Sequence, residues 1–430
     1  MAKLRRRDLL AGSAAAFAAS AVGAESASAQ TSVKPRVTVI TQWSAGSDGA
    51  AITALGEVFT KAGGDWQHNP VPGFTTDMMN KLRAQILSGD PPAVSQLKGP
   101  EIAAWSKIAP TVNLDPDVAA AGYEKVVPPE LIKLHKPFGH WISLPLQVYR
   151  LNSIWISKKA ADKVGLTVLP KTWAEYNAIG EKMAGAGIQP VANGGTKWDH
   201  GMIWEIALSG ISPAAYRKAV MQLDADALHG PEVLAAFEQT RRMSLWMDPN
   251  TASQHYSTFI PKFMKGDAGM LLMGGWVQGV YKKAGYQYSD YITGPAPQDN
   301  GKPAFDLNAD AFIFWQRKEP EFTAGQHLLA KLVMEKSTQK MYSGITGSLP
   351  VRTDMDLADP TFSDAQREAS ASLGAAVKVD QVVLSLAHNM AQQNQITAAM
   401  LDVLTEFVSD HAITPKQGQV RLAEAVDNIR

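Results

Sequence analysis

Cysteine is missing from all 430 residues, and with it go disulfides, thiolate metal sites and cysteine nucleophiles. Stability has to come from packing. An excess of either charge is missing too, since 41 basic residues meet 41 acidic ones. Nucleic acid is therefore not an expected partner, because binding it calls for a basic face. Beyond residue 30 no apolar run approaches the ~20 residues of a membrane-spanning helix. No Gly-x-Ser-x-Gly elbow, His-Glu-x-x-His helix or Walker phosphate loop occurs, and no catalytic residue, metal or cofactor is expected. Ser337-Thr338-Gln339-Lys340 fits Ser-x-x-Lys, but so short a match in an ordinary polar helix carries no weight.

What is present begins with an export address. Lys3, Arg5, Arg6 and Arg7 precede an Ala-rich apolar stretch from Leu9 to Val22, and Ala27-Ser28-Ala29 offers a small-x-small cleavage site. Arg6-Arg7-Asp8-Leu9-Leu10 fits the twin-arginine pattern, which implies export of a folded chain; a plain Sec signal is the alternative. Cleavage after Ala29 makes Gln30 the first residue and leaves 37 bases against 39 acids. The remaining chain, about 400 residues, exceeds what one hydrophobic core serves, so two lobes are expected.

Strands and helices alternate along it, which predicts parallel sheets packed between helices. Arg36–Thr41 reads as a strand, Ala50–Lys61 as an amphipathic helix, Met78–Ser88 as a second helix and Ala93–Leu97 as a short strand. Ligands of such sheets lie beyond the carboxyl ends of the strands. The loops carrying Trp43 and Lys98 hold that position. Trp141–Arg150 is extended and reads as a crossing between lobes, Trp173–Met183 as helix, and Gly269–Met273 as a buried strand opening at Gly274-Gly275-Trp276. Thr293-Gly294-Pro295-Ala296-Pro297 reads as a return crossing, and after Asn308–Trp315 the chain is helical almost to its end.

Four separated pieces, in order, carry a resemblance: Gln96-Leu97-Lys98-Gly99-Pro100-Glu101-Ile102, Met273-Gly274-Gly275-Trp276, Gly347-Ser348-Leu349-Pro350-Val351-Arg352 and Leu386-Ala387-His388-Asn389-Met390-Ala391. Over roughly residues 35–428 the chain resembles the extracellular solute-binding proteins of bacterial ABC sugar importers (family 1), most closely their glucose- and mannose-binding branch. The resemblance implies an α/β periplasmic-binding-protein fold: two α/β lobes, hinge crossings and a ligand cleft between them. It divides the chain into a signal at 1–29, a first lobe at 30–146 with a return segment at 294–333, and a second lobe at 147–293 and 334–430. The implied partners are a small sugar and the transmembrane subunits of an ABC importer, and the implied state is a periplasmic monomer.

The resemblance also implies a ligand set. Trp43 matches a stacking tryptophan, whose flat face suits the C–H patch of a pyranose; a core tryptophan is the alternative. Its loss is expected to weaken binding by about 1–3 kcal/mol with the fold intact. Asp48 stands where the family has a glutamate, with helix N-capping as the alternative. Lys98 would donate to sugar oxygens, with a solvated surface lysine as the alternative. Asn308 and Asp310 alternate in an extended segment, so they share a face and together offer donors and acceptors to neighbouring hydroxyls. His388 matches the family's ligand histidine, Trp276 the wall opposite Trp43, and Tyr256 a further aromatic position. Gln42 replaces a tryptophan and Thr346 a lysine of the glucose-binding members. These two changes and Asp48 imply a roomier, more polar pocket, for which D-glucose is not the tightest ligand.

Two other classes remain open on the sequence. Asp48 and Asp310 as a carboxylate pair would suit a glycosidase. A polyol, or an amino acid held through Arg352, would suit a different binding protein.

Overall fold

The computed structural model describes residues 33–72 and 75–429, so the export signal and its cleavage site lie outside the described residues. Among the described residues ten strands form two sheets. The first contains β1 (Arg36–Thr41), β2 (Asp65–Pro70), β3 (Val94–Leu97), β4 (Ser143–Arg150), β9 (Phe305–Phe314) and β10 (Val382–Leu384); the second contains β5 (Ser153–Ser157), β6 (Gln189–Val191), β7 (Ala268–Leu272) and β8 (Tyr291–Pro295). The expected two α/β lobes are these two sheets with their helices.

β9 organises the first lobe. It pairs antiparallel with β4 along one edge, and along the other with β3, antiparallel, and β10, parallel, in tandem. β1 then joins β3 and β2 in parallel. Alternation along β9 buries Phe312 and Phe314 on the face with Val37, Val39, Phe59 and Trp141, and sends Ala311 and Ile313 to the opposite face with Leu82, Ile102 and Trp105. In the second lobe β5 lies between β7 and β8, antiparallel to both, while β6 runs parallel to β7. The helix Lys197–Ile211 covers that core with Trp204 and Leu208 and is held at its start by a capping box between Thr196 and Asp199.

The crossings differ from the expected boundaries. β4 stays in the first sheet to Arg150, so the chain changes lobe at Leu151–Asn152 and a boundary at 146/147 falls inside a strand. The Thr293–Pro295 part of the expected return crossing is β8, still in the second sheet, and the passage follows it. Asn152 fastens both passages: its Nδ2 donates to Ala304 O, its Oδ1 accepts from Asp306 N, and its carbonyl accepts from Ala296 N. The helix Lys336–Thr346 packs chiefly on Gly46–Lys61 of the first lobe, Asp364–Lys378 touches both sheets, and Asn394–Ser409 and Pro415–Asp427 pack in the second lobe.

Candidate functional site

The β4–β9 register sets Gln147 opposite Asp310 and Tyr149 opposite Asn308. All four then stand on one face, at the edge reached by Lys98, the first residue after β3. Lys98 Nζ donates to Asn308 Oδ1 at 3.3 Å and to Asp310 Oδ1 at 3.1 Å, while Gln96 Nε2 and Gln147 Nε2 each donate to Asp310 at 3.2 Å. With side-chain exposures of 12% for Lys98 and 7% for Asp310, this is a buried pair and not a surface lysine. Asp48 lies in the first turn of the helix Gly46–Lys61, but the N-cap is Ala45, so Asp48 does not cap. Its Oδ1 accepts from Gln147 Nε2 at 3.4 Å and from Tyr149 Oη at 3.5 Å. Gln147 thus bridges the two carboxylates.

An aromatic wall faces this cluster. Trp276 sits 5.3 Å from Tyr149, 5.3 Å from His388 and 5.8 Å from Trp198, ring centre to ring centre. Tyr256 packs against Trp198 at 5.9 Å. Gly274 makes room for Trp276, since a Cβ there would fall 2.0 Å from its ring. The loops bearing Lys98 and His388 interlock at Gly99, which has φ +57° and lies so close to Asn389 that a Cβ would meet its carbonyl at 2.2 Å. Sequence pieces that were separate motifs are thereby one site. Gln147 Oε1 and the Tyr342 hydroxyl are buried there with no protein partner. They are hydrogen-bonding capacity that a polar solute can take up.

Several expected residues are placed differently. The Trp43 ring packs in the first-lobe core, 6.3 Å from Phe312 and 6.4 Å from Tyr342, which is the alternative of a core tryptophan. Thr346 Oγ1 donates to Tyr342 O and bonds Ser348 Oγ and Ser348 N, closing the end of a helix; it reaches the site only by bonding Tyr149. Gln42 lines a recess beside Lys98 together with Met78, Met79, Asn389 and Asn394. Arg352 is held by both oxygens of Asp354 and by Met334 O, so it is not free to receive an amino-acid carboxylate. Lys340 is paired with Asp359. Reading the sequence missed Gln96, Gln147, Tyr149 and Trp198.

Burial, and then the charge of Asp310, push the Asp48 carboxyl up to about 6, against the hydrogen bonds from Gln147 and Tyr149 and the Lys98 cation. A raised carboxyl favours the folded state fully below its unfolded value, and that contribution is lost as pH rises through about 6. Hydroxyls donating to Asp48 favour the ionised form. Saccharide affinity should therefore fall as pH drops below about 6, by about tenfold per unit. Burial, and then the Lys98 cation, hold His388 well below its ordinary value. Calorimetric titration between pH 5 and 8 checks this; a flat profile would remove Asp48 from the contact set.

The chain is similar to known proteins in sequence and in fold. The family model described as bacterial extracellular solute-binding protein matches residues 54–369. A probable sugar-binding periplasmic protein of Brucella suis is 31% identical over 374 residues, covering 86% of this chain and 87% of its own. One of the same name from Rhizobium meliloti is 30% identical over 395 residues, covering 90% and 94%. Among solved structures, a chitin oligosaccharide binding protein superposes with a TM-score of 0.76 at 18% identity, covering 91% of this chain and 98% of its own. The bacterial solute receptor AcbH, described as exclusively preferring β-D-galactopyranose, does so with a TM-score of 0.74 at 16% identity, covering 92% and 99%. The family match over residues 54–369 and these relatives show that the chain belongs to the bacterial extracellular solute-binding protein family.

Proposed function

We propose that the protein is the solute-capturing subunit of an ABC importer, exported with cleavage near Gln30 and acting as a monomer, and that its solute is a small neutral saccharide. The observation that carries this reading is the meeting of Lys98, Asn308, Asp310 and Asp48 with Trp276, Trp198 and His388. Sugar hydroxyls both donate and accept, and such a cluster supplies both partners. Sugar C–H faces cover aromatic rings. The relatives named as sugar-binding periplasmic proteins agree with it.

The ligand set is Lys98, Asn308, Asp310, Asp48, His388 and Trp276, extended by Gln96, Gln147, Tyr149 and Trp198. Tyr256 supports the aromatic wall. Gln42 opens the recess beside Lys98. The likeness to glucose and mannose binders stops at Thr346, whose hydroxyl is spent on the helix end and which brings no cation to the site. D-glucose is accordingly not the tightest ligand.

A panel of monosaccharides, disaccharides, polyols and amino acids, screened by thermal shift and then titrated calorimetrically, tests the proposal. A saccharide other than glucose should raise the melting temperature most, and it should be recovered chemically unchanged. Tightest binding of glucose would show the substitutions to be compensated. An amino acid or polyol as tightest ligand would overturn the sugar reading, and hydrolysis of a glycoside would revive the Asp48–Asp310 enzyme.

A further inference from the structure

His388 makes a defined contact at each ring nitrogen. Trp198 Nε1 lies 3.2 Å from Nε2, and an indole N–H can only donate, so Nε2 is an acceptor. In a neutral ring the proton is then on Nδ1, 3.0 Å from Ser385 Oγ, which accepts it. Ser385 Oγ also accepts from His388 N, so its own hydrogen goes to Glu205 Oε1 at 2.8 Å. The other Glu205 oxygen accepts from Leu386 N at 2.7 Å and Ala387 N at 2.9 Å. Glu205 and Trp198 sit seven residues apart on the helix Lys197–Ile211, two turns along one face. One helix therefore secures both sides of the imidazole.

Glu205 is fully buried. Burial pushes its carboxyl up, while the donors from Ala387, Ser385 and Leu386 pull it back. Asp306 on β9 is buried with neither carboxyl oxygen partnered, and burial and the charge of Glu205 drive it well above the ordinary range. Asp306, whose oxygens receive no donor, is the better place for a proton, and Glu205, whose oxygens accept from Ser385, Leu386, Ala387 and Tyr216, is the better place for the charge.

We propose that Glu205 is a positioning residue: through Ser385 it fixes the tautomer of His388, so that Nε2 accepts the Trp198 N–H and the two rings are locked together as one wall of the solute site. The proposal rests on His388 belonging to the ligand set.

Glu205→Gln reverses the chain. The amide oxygen must serve the two backbone N–H groups, so its NH2 faces Ser385. The serine hydroxyl then donates to Nδ1, and the imidazole proton moves to Nε2, against the Trp198 N–H. In the intact protein labelled with 15N-histidine and free of sugar, His388 should show an unprotonated Nε2 in the wild type and a protonated one in Glu205→Gln. His388→Asn assigns the resonance by its disappearance. Whichever of D-glucose, D-galactose and D-mannose binds the wild type should bind Glu205→Gln about tenfold to a hundredfold more weakly. A wild-type Nε2 that carries the proton, or a Glu205→Gln protein with unchanged tautomer and affinity, overturns the proposal. If Glu205→Gln does not fold, the wild-type resonance decides, with Ser385→Ala expected to broaden or split it. Should the tautomers behave as expected while His388→Asn binds sugar normally, the ligand set is at fault and the Glu205 chain stands.

Discussion

Asp310→Ala should abolish measurable saccharide binding and lower stability by about 3 kcal/mol. Asp310 takes hydrogen bonds from Lys98, Gln96 and Gln147, and Asn308 Nδ2 approaches it at 3.4 Å. Without it Lys98 retains Asn308 Oδ1 as its acceptor, and a largely buried cation loses its counter-charge. Removing one partner of a buried pair costs about 3–5 kcal/mol, and the small remaining exposure of Lys98 argues for the lower end. Binding suffers more. The donors that Asp310 aligns would turn on one another or on the solute in the wrong geometry, so a loss beyond a hundredfold is expected, about 3 kcal/mol or more. Asp310→Asn, which preserves shape and one acceptor, should be milder in stability and still poor in binding. Denaturant unfolding and calorimetry, both run below the variants' melting temperatures, separate the two effects. Normal affinity in Asp310→Asn would show that the carboxylate serves only the fold.

How far the sequence reveals this site depends on what holds each residue. β1, β3, β7 and β9 are visible as short runs rich in β-branched or apolar residues because they are largely buried, β3, β7 and β9 on both faces. β2 is not, because Asp65-Trp66-Gln67-His68-Asn69-Pro70 is a half-exposed edge strand that needs only β1 as a partner. β5 follows β4 after two residues, so the pair reads as one extended run until the change of sheet separates them. Within the site, Lys98, Asn308, Asp310, His388 and Trp276 are carried by local motifs. Gln147 and Tyr149 become site residues through the register of β4 against β9, which is a tertiary fact. A local signal did exist: Leu146-Gln147-Val148-Tyr149 alternates, and its polar members share the face used by Asn308 and Asp310. Trp198 is placed by the Thr196 capping box, which starts its helix one residue earlier. Tyr342 comes from a helix that packs on the opposite lobe from the one expected.

The same displacement changes what is expected of Trp43. Its position after β1 suggested a stacking platform whose loss would be felt in affinity alone. In the structure only 6% of it is exposed, its backbone N–H donates to Thr41 Oγ1, and its ring fills the space between Phe312 and Tyr342. Trp43→Ala should therefore cost about 3–5 kcal/mol of folding stability, the range for emptying a large aromatic from a core. An effect on binding follows at second hand. Burial, and then the charges of nearby Asp48 and Asp310, push the ionisation of the Tyr342 hydroxyl up, and Trp43 supports that ring. Affinity should fall by less than stability, about 1 kcal/mol. Trp43→Phe, which keeps an aromatic plane and leaves a smaller void, should recover most of the stability. Chemical unfolding of the sugar-free protein measures the first quantity, and calorimetry at a temperature where the variant is fully folded measures the second. A stability loss below 1 kcal/mol together with a large loss of affinity would return the ring to the ligand.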